Sequence, residues 1–209
     1  KIFKNLLGDG SNYGINFEYL IQESPDGIPQ AFILAEDFLN GSPSLLILGD
    51  NFFYGDGLQK KLLNITNDTN NTTIFGYRVR NPQDYGVIEF DPSGNIITFH
   101  EKPKNFISDI AITGIYFFDE NAPKFSKELK FSSRGELEIT DLNKIYLKQK
   151  KLKLEILGRG FTWLDAGTPD NLIEAAHFVQ TIEHRQGFKI CCPEEIAFNK
   201  KWLSKEDIL

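Results

Sequence analysis

The chain has 209 residues, 41% of them hydrophobic and 25% charged, with 18 Phe and no low-complexity tract, a composition that excludes a largely disordered protein. Its net charge of −6 argues against a general nucleic-acid surface, because duplex affinity rests largely on neutralising phosphates. If this protein handles phosphates, a metal ion, a few placed Lys or Arg, or backbone N–H groups must supply the positive field locally.

The first two thirds alternate strand-like and helix-like segments, the pattern of an α/β sandwich with a mixed, mostly parallel sheet. Glu18–Gln22 reads as a short strand, and Glu23-Ser24-Pro25-Asp26-Gly27 as a turn. An amphipathic helix is expected over Pro29–Phe38, and Leu45–Leu48, apolar on both faces, has the pattern of a central strand. Leu58–Ile65 predicts a helix, with a polar loop over 67–71. Strands follow at Thr73–Val79, Gly86–Phe90 and Ile96–Glu101, the last two joined by the turn Asp91-Pro92-Ser93-Gly94-Asn95. Asp109–Asp119 is a long strand with Gly114 in its middle, where a glycine weakens the strand unless backbone or ligand must approach closely. Helices over 121–129 and 138–150, a strand over 152–158 and a short strand ending at Asp165 complete the α/β part. Pro169–Gln186 is the strongest helix pattern: Thr168 is its N-cap, Pro169 its first residue, and Leu172, Ile173, Ala176, Val179 and Ile182 its apolar face. The expected organisation is one α/β domain over 1–186 and a partly helical C-terminal segment over 187–209, packed on the core or on a neighbouring subunit.

No apolar run approaches the roughly 20 residues of a membrane span, and KIFKNLLGDG lacks the apolar region of a secretory signal, so no membrane partner is expected and the cytoplasm is the default location. Cys191 and Cys192 are adjacent, poor geometry for a mutual disulfide and unlike a spaced zinc motif. His100, His177 and His184 show neither metal-ligand spacing nor a nucleophile partner. The chain contains no Met, from which we expect Lys1 to be an interior residue of a longer protein.

Several short stretches carry chemistry. Asp50 follows the apolar run at the carboxyl end of a predicted strand, where open α/β sheets bind ligands; taken alone, Gly49-Asp50-Asn51 reads first as turn chemistry. Asp165 is a second acid at a strand end, three residues before a helix N-cap, where the helix dipole alone would favour it. As a pair the two can converge on a hard divalent cation, since Mg²⁺ commonly takes one or two protein carboxylates plus phosphate oxygens. Gln22 and Gly27 flank a turn; an amide suits the edge of a base, and a glycine lets a flat ring approach the backbone. Asp84-Tyr85-Gly86 and Glu101-Lys102-Pro103 are either a hairpin corner and a solvated strand end or sugar-phosphate contacts, with carboxylates accepting from hydroxyls and Lys meeting a phosphate. The charges of Arg134-Gly135-Glu136-Leu137-Glu138 read as helix-start capping.

In order along the chain, LLGDGS at 6–11, QESPDGIPQAF at 22–32, LLILGDNFFYG at 45–55, DYGVIEFD at 84–91, EKP at 101–103, ITGIYFFD at 112–119, RGELEITDLN at 134–143, GRGFTWLDAGT at 158–168 and CPEEIAF at 192–198 together resemble the sugar-1-phosphate nucleotidylyltransferases. The resemblance implies a Rossmann-like nucleotide-diphospho-sugar transferase fold. The implied activity joins deoxythymidine triphosphate to glucose 1-phosphate with release of pyrophosphate, as in dTDP-rhamnose type deoxysugar biosynthesis, in a protein that is a homo-oligomer when complete. It also implies that Gln22, Gly27, Ile28 and Asp50 contact the nucleotide and that Asp50 and Asp165 hold Mg²⁺. Tyr85, Gly86, Glu101, Lys102, Ile112, Thr113, Tyr116 and Trp163 would surround the glucosyl phosphate. A uridylyl- or cytidylyltransferase of the same fold, or a non-catalytic sugar-nucleotide-binding protein, remains open at this point. The family's glycine-rich GGxGTRLxP loop and its K-x-x-x-P lysine do not occur in these 209 residues. We therefore expect the chain as written not to turn over at a useful rate, an expectation that pyrophosphate release by the purified chain with both substrates and Mg²⁺ would overturn.

Overall fold

The structure is a computed structural model and describes residues 2–68 and 71–208. The loop expected over 67–71 therefore lies partly outside the described residues, at Thr69 and Asn70. In chain order the helices are α1 (Ile2–Leu7), α2 (Gln30–Leu34), α3 (Glu36–Leu39), α4 (Leu58–Thr66), α5 (Ala122–Glu128), α6 (Ile139–Lys148), α7 (Pro169–Gln186), α8 (Pro193–Asn199) and α9 (Lys205–Ile208). The strands are β1 (Ser44–Ile47), β2 (Asn51–Gly55), β3 (Thr72–Arg78), β4 (Gly86–Phe90), β5 (Ile96–Glu101), β6 (Ile110–Phe118), β7 (Leu152–Leu157) and β8 (Phe161–Asp165). The chain forms two units, Gln22–Leu172 and the combination of Lys1–Ile21 with Ile173–Leu209.

Within Gln22–Leu172 the sheet is organised around β6, all nine residues of which are buried. On one side β6 pairs antiparallel with β3, which in turn pairs in parallel with β7. On the other side it pairs antiparallel with β4 near its start and with β1 near its end, and β5 lies beyond β4. Strand pleating sends alternate residues of β6 to opposite faces. Ile110, Ile112, Tyr116 and Phe118 join Phe32, Ala122, Ile139, Leu142 and Tyr146 in the core under α2, α5 and α6. Ile115 and Phe117 join Phe75 and Leu157 on the other face, covered by Leu62 and Ile65 of α4 and by Phe53 and Phe161 of a β2–β8 ribbon. Helices, sheet, then helix and ribbon make the three layers.

The α/β architecture and mixed sheet agree with the sequence pattern, but the parallel share is smaller than the alternation of segments implied: among the described pairings only β3 with β7 is parallel. β1 is not a central strand. Its residues alternate, Leu46 packing on the core while Leu45 and Ile47 are 43% and 52% exposed. Residues 18–22 form no strand, because nothing in the described chain pairs with them. The helix expected over Pro29–Phe38 is two short helices broken at Ala35. Helix α7 begins and ends where expected, and Thr168 Oγ1 accepts from the Asn171 N–H at 3.2 Å, but Leu172 and Ile173 stand more than half exposed and Ala175 is its buried residue.

In the second unit, Gly14 packs so closely on Trp202 that an added Cβ would lie 2.8 Å from Trp202 O, and the Tyr19 hydroxyl donates to Gly8 O at 2.6 Å. The expected C-terminal segment contains α8 and α9.

The end of β6 is tied down by a polar knot. Asp119, 3% exposed, accepts from the Tyr146 hydroxyl at 2.7 Å, from the Asn121 N–H at 2.9 Å and from Asn121 Nδ2 at 3.1 Å. Burial, reinforced by that bond to Asp119, pushes the Tyr146 phenol far above its ordinary value, so it stays a donor. Tyr146→Phe leaves the other Asp119 bonds in place while removing one donor from a buried carboxylate, and is expected to lower the urea-unfolding free energy by about 1–3 kcal/mol.

Candidate active site

The β2–β8 ribbon brings together two acids that are far apart in sequence. Its antiparallel register sets Asn51 opposite Asp165 and Phe53 opposite Trp163, and the Ala166 N–H extends the ladder by donating to Asp50 O at 2.7 Å. Asp50 therefore stands beside Asp165 at the ribbon's end. A Cβ added to Gly167 would lie 3.0 Å from Asp165 Oδ1 and 3.3 Å from Asp50 Oδ2, so the two carboxylates approach one spot beside this glycine. The Gly167 N–H donates to Asp165 Oδ1 at 2.9 Å, and Asn51 Nδ2 donates to Asp50 Oδ1 at 2.8 Å.

These acids lie on the wall of a cleft of about 200 Å³. Every residue assigned by resemblance to the glucosyl phosphate lines it: Tyr85, Gly86, Glu101, Lys102, Ile112, Thr113, Tyr116 and Trp163. So does Ile28, while Gln22 and Gly27 line an adjoining cleft that shares Ile28, Leu48 and Glu136 with the first. Tyr85 and Trp163 form an aromatic wall with ring centroids 5.1 Å apart, backed edge-on by Tyr77 at 6.0 Å. Gly86 leaves room for Glu101, since a Cβ there would stand 3.2 Å from Glu101 Oε2. Thr113 is buried and its hydroxyl has no hydrogen-bond partner among the described residues, an acceptor and donor at the cleft wall. Lys102 has φ 41°, a left-handed backbone that disfavours any side chain by roughly 1–2 kcal/mol. It is held there by its N–H donating to Tyr85 O at 3.0 Å.

Burial, and then the neighbouring Glu138, raise the Glu101 carboxyl above its ordinary value of 4.5, against the pull of Arg134 and Lys102. Burial, with Glu101 nearby, likewise pushes the Tyr116 phenol far up, leaving it a neutral donor.

The adjoining cleft is built on the turn at Gly27, whose φ of 106° suits glycine and whose added Cβ would strike Leu137 O at 2.1 Å. Leu137 N–H donates to Asp26 O at 2.8 Å, docking segment 132–138 onto that turn. Gln22 Nε2 bonds Gln30 and, at 3.3 Å, Gly27 O, and Gln30 Nε2 in turn reaches Asp26 Oδ2 at 2.7 Å.

Sequence reading passed over the residues that hold this arrangement. Arg134 makes ion pairs with Glu136 at 2.8 Å, Glu101 at 3.4 Å and Glu138 at 3.5 Å, and all four line the cleft with Thr140. Charges before a helix are ordinary capping in sequence, and nothing local marks them as converging on Glu101, which lies on another strand. Asn51 Oδ1 accepts from the Gly114 N–H at 3.0 Å and from the Trp163 indole at 2.6 Å. The signal for this was present: a glycine in the middle of a buried strand.

Among the described residues no group of three or more His, Cys, Asp and Glu can hold a metal. Two converging hard oxygen donors do fit a cation that fills its remaining positions with water and phosphate oxygens. No described helix is long and apolar enough to cross a membrane.

Comparison with known proteins gives this geometry a context. The family model described as nucleotidyl transferase matches residues 1–182. The glucose-1-phosphate thymidylyltransferase of Neisseria gonorrhoeae is 50% identical over 206 residues, covering 99% of this chain and 72% of that protein. The enzyme of the same name from Mycobacterium tuberculosis H37Rv is 43% identical over 207 residues, with coverage of 99% and 72%. A Bacillus anthracis structure assigned to glucose-1-phosphate thymidylyltransferase, crystallised with a sucrose, superposes with a TM-score of 0.76 at 37% identity, over 85% of this chain and 70% of that one. A UDP-glucose pyrophosphorylase complexed with UDP-glucose shares the fold at a TM-score of 0.73 and 20% identity, over 87% and 73% of the two chains.

The raised Glu101 carboxyl has a stability consequence whose sign is fixed. The folded state holds this proton more tightly than the unfolded chain, so its contribution is fully present below the ordinary value of 4.5 and is lost as pH rises through the raised one. Urea-unfolding free energies measured across that window are expected to fall with rising pH in the wild type, and Glu101→Gln is expected to flatten that part of the profile.

Proposed function

The chain belongs to the nucleotidyl transferase family, and we propose that it serves the transfer of a thymidylyl group from deoxythymidine triphosphate to glucose 1-phosphate, giving dTDP-glucose and pyrophosphate for dTDP-sugar biosynthesis. The observation that carries the reading is the convergence of Asp50 and Asp165 at the wall of a cleft that also holds Glu101, Lys102, Tyr85 and Trp163.

In the reaction a sugar-phosphate oxygen forms a bond to the α-phosphorus while the bond from that phosphorus to the pyrophosphate oxygen breaks. Two anions must meet in line, so the protein's task is orientation and neutralisation rather than covalent chemistry. Family members are in general metal-dependent, and Mg²⁺ is the ion we assign to Asp50 and Asp165; when bound it would offset charge on the phosphate oxygens. The Lys102 ammonium, held by its left-handed backbone at the cleft, meets the sugar phosphate. Glu101, in its ionised form, accepts from sugar hydroxyls, and the Tyr116 phenol and Thr113 hydroxyl donate from the floor. Tyr85 and Trp163 present apolar faces to the pyranose ring. Gln22 exchanges its bonds to Gln30 and Gly27 O for the edge of the thymine, and Gly27 and Ile28 admit the flat base beside it. The cytoplasm and a homo-oligomeric state belong to the same proposal, and neither nucleic acid nor membrane enters it.

A uridylyl- or cytidylyltransferase would keep the carboxylate pair and differ at Gln22–Ile28, and the identities of 43–50% to thymidylyltransferases favour thymine. Calorimetric titration with Mg²⁺ is expected to show tighter binding of dTDP-glucose than of UDP- or CDP-glucose. Equal affinities would remove the base assignment. Asp50→Asn and Asp165→Asn should each weaken Mg²⁺-supported binding by about tenfold or more, with melting temperature little changed; unaltered binding in either variant would exclude that residue from the metal site.

A further inference from the structure

Asn51 has a single amide that meets three groups of fixed polarity, one on β6, one on β8 and one on the residue before it. The Gly114 N–H of β6 and the Trp163 indole of β8 can only donate, and both point at Asn51 Oδ1, at 3.0 and 2.6 Å. The Asp50 carboxylate, when ionised, can only accept, and it faces Asn51 Nδ2 at 2.8 Å. Turning the amide over would set N–H against N–H and oxygen against carboxylate, so the partners themselves determine its orientation. No other side chain of this length supplies an acceptor for two donors and a donor for a carboxylate. Aspartate would keep the two accepted bonds and turn the third into repulsion, and alanine would lose all three.

The strand beneath is shaped to this amide. A Cβ on Gly114 would stand 2.4 Å from Asn51 Oδ1 and 2.5 Å from its Cγ, distances that no packed side chain tolerates. The missing side chain in the middle of a fully buried strand, otherwise a weakening feature, is what admits the amide.

We propose that Asn51 is a positioning residue that holds the Asp50 carboxylate and the Trp163 ring in fixed relation, coupling the metal side of the cleft to its aromatic wall. It acts through Asp50 and Trp163 rather than by the chemistry of its own amide, and the missing side chain at Gly114 makes room for it. The inference rests on the proposed metal role of Asp50, and its test separates the two.

Trp163 and Trp202 are the chain's two tryptophans, so Trp202→Phe makes Trp163 the sole emitter. In that background, Mn²⁺ serves as a paramagnetic stand-in for Mg²⁺, its free concentration read by electron paramagnetic resonance. Asn51→Ala is expected to shift Trp163 emission and to weaken Mn²⁺ binding by about 10- to 100-fold, the range for losing a hydrogen-bond partner of a metal ligand. Asn51→Asp keeps an acceptor for the indole and is expected to leave Trp163 emission as in the parent, which also provides a folded variant should alanine fail. Gly114→Ala should weaken Mn²⁺ binding while leaving Asn51 itself intact. Because truncating the amide frees the space, the double variant Asn51→Ala with Gly114→Ala should melt no lower than Gly114→Ala alone. Unchanged Mn²⁺ affinity and Trp163 emission in Asn51→Ala, with only a lower melting temperature, would overturn the proposal and leave Asn51 as packing. No Mn²⁺ binding by the parent would instead sink the metal reading and the Asp50 half of the proposal, while the emission arm would still decide whether Asn51 positions Trp163.

Discussion

The cleft depends on how closely the β2–β8 ribbon can lie on the central strand. Asn51 begins that ribbon, and its amide reaches the backbone of β6 only because Gly114 offers no Cβ. A larger residue there would lift the start of the ribbon, and with it Asp50, Asp165 and Trp163, all of which take their positions from the ribbon's register. The two hydrophobic faces of the sheet supply the rigidity for this, with the ribbon's own Phe53 and Phe161 packed among Phe75, Ile115 and Phe117. Core packing and site geometry are thus one arrangement, since the strand that anchors both halves of the core also receives the amide.

A second constraint operates at another part of the cleft lining. Three carboxylates, Glu101, Glu136 and Glu138, gather around Arg134, and burial already disfavours the charge of Glu101. One guanidinium with a fork of donors can serve all three, which a compact ammonium could not do as well. The same segment docks through Leu137 onto the turn at Asp26 and Gly27, so the acid cluster and the wall of the adjoining cleft share one piece of backbone.

Sequence made the elements legible where local pattern and final environment agree. β4, β5 and α7 begin and end where alternation, turn residues and capping place them. It misled where partners decide. The run Leu45-Leu46-Ile47-Leu48 reads as buried on both sides, yet β1 has one half-exposed face. The apolar stripe of α7 is equally regular, and Leu172 and Ile173 remain open to solvent. β2 escaped notice because Asn51–Gly55 lacks alternation and becomes a strand only by pairing with β8, more than a hundred residues on. Likewise the acids Asp50 and Asp165 were visible as residues at strand ends, while their convergence belongs to a register that spacing does not encode. Arg134 and Asn51 were hidden for a related reason, since each has an ordinary local role, as helix-start charge and turn amide, that needs no distant partner.

Glu136 lines both clefts, so the two share a wall rather than being separate cavities. Small molecules that settle singly in each would lie within a short tether of one another. Joining two such fragments would convert the second binding event into an intramolecular one at millimolar effective concentration, multiplying weak affinities without any new contact to the protein. For ligand discovery the shared wall makes linker length, rather than the depth of either cleft, the variable to optimise.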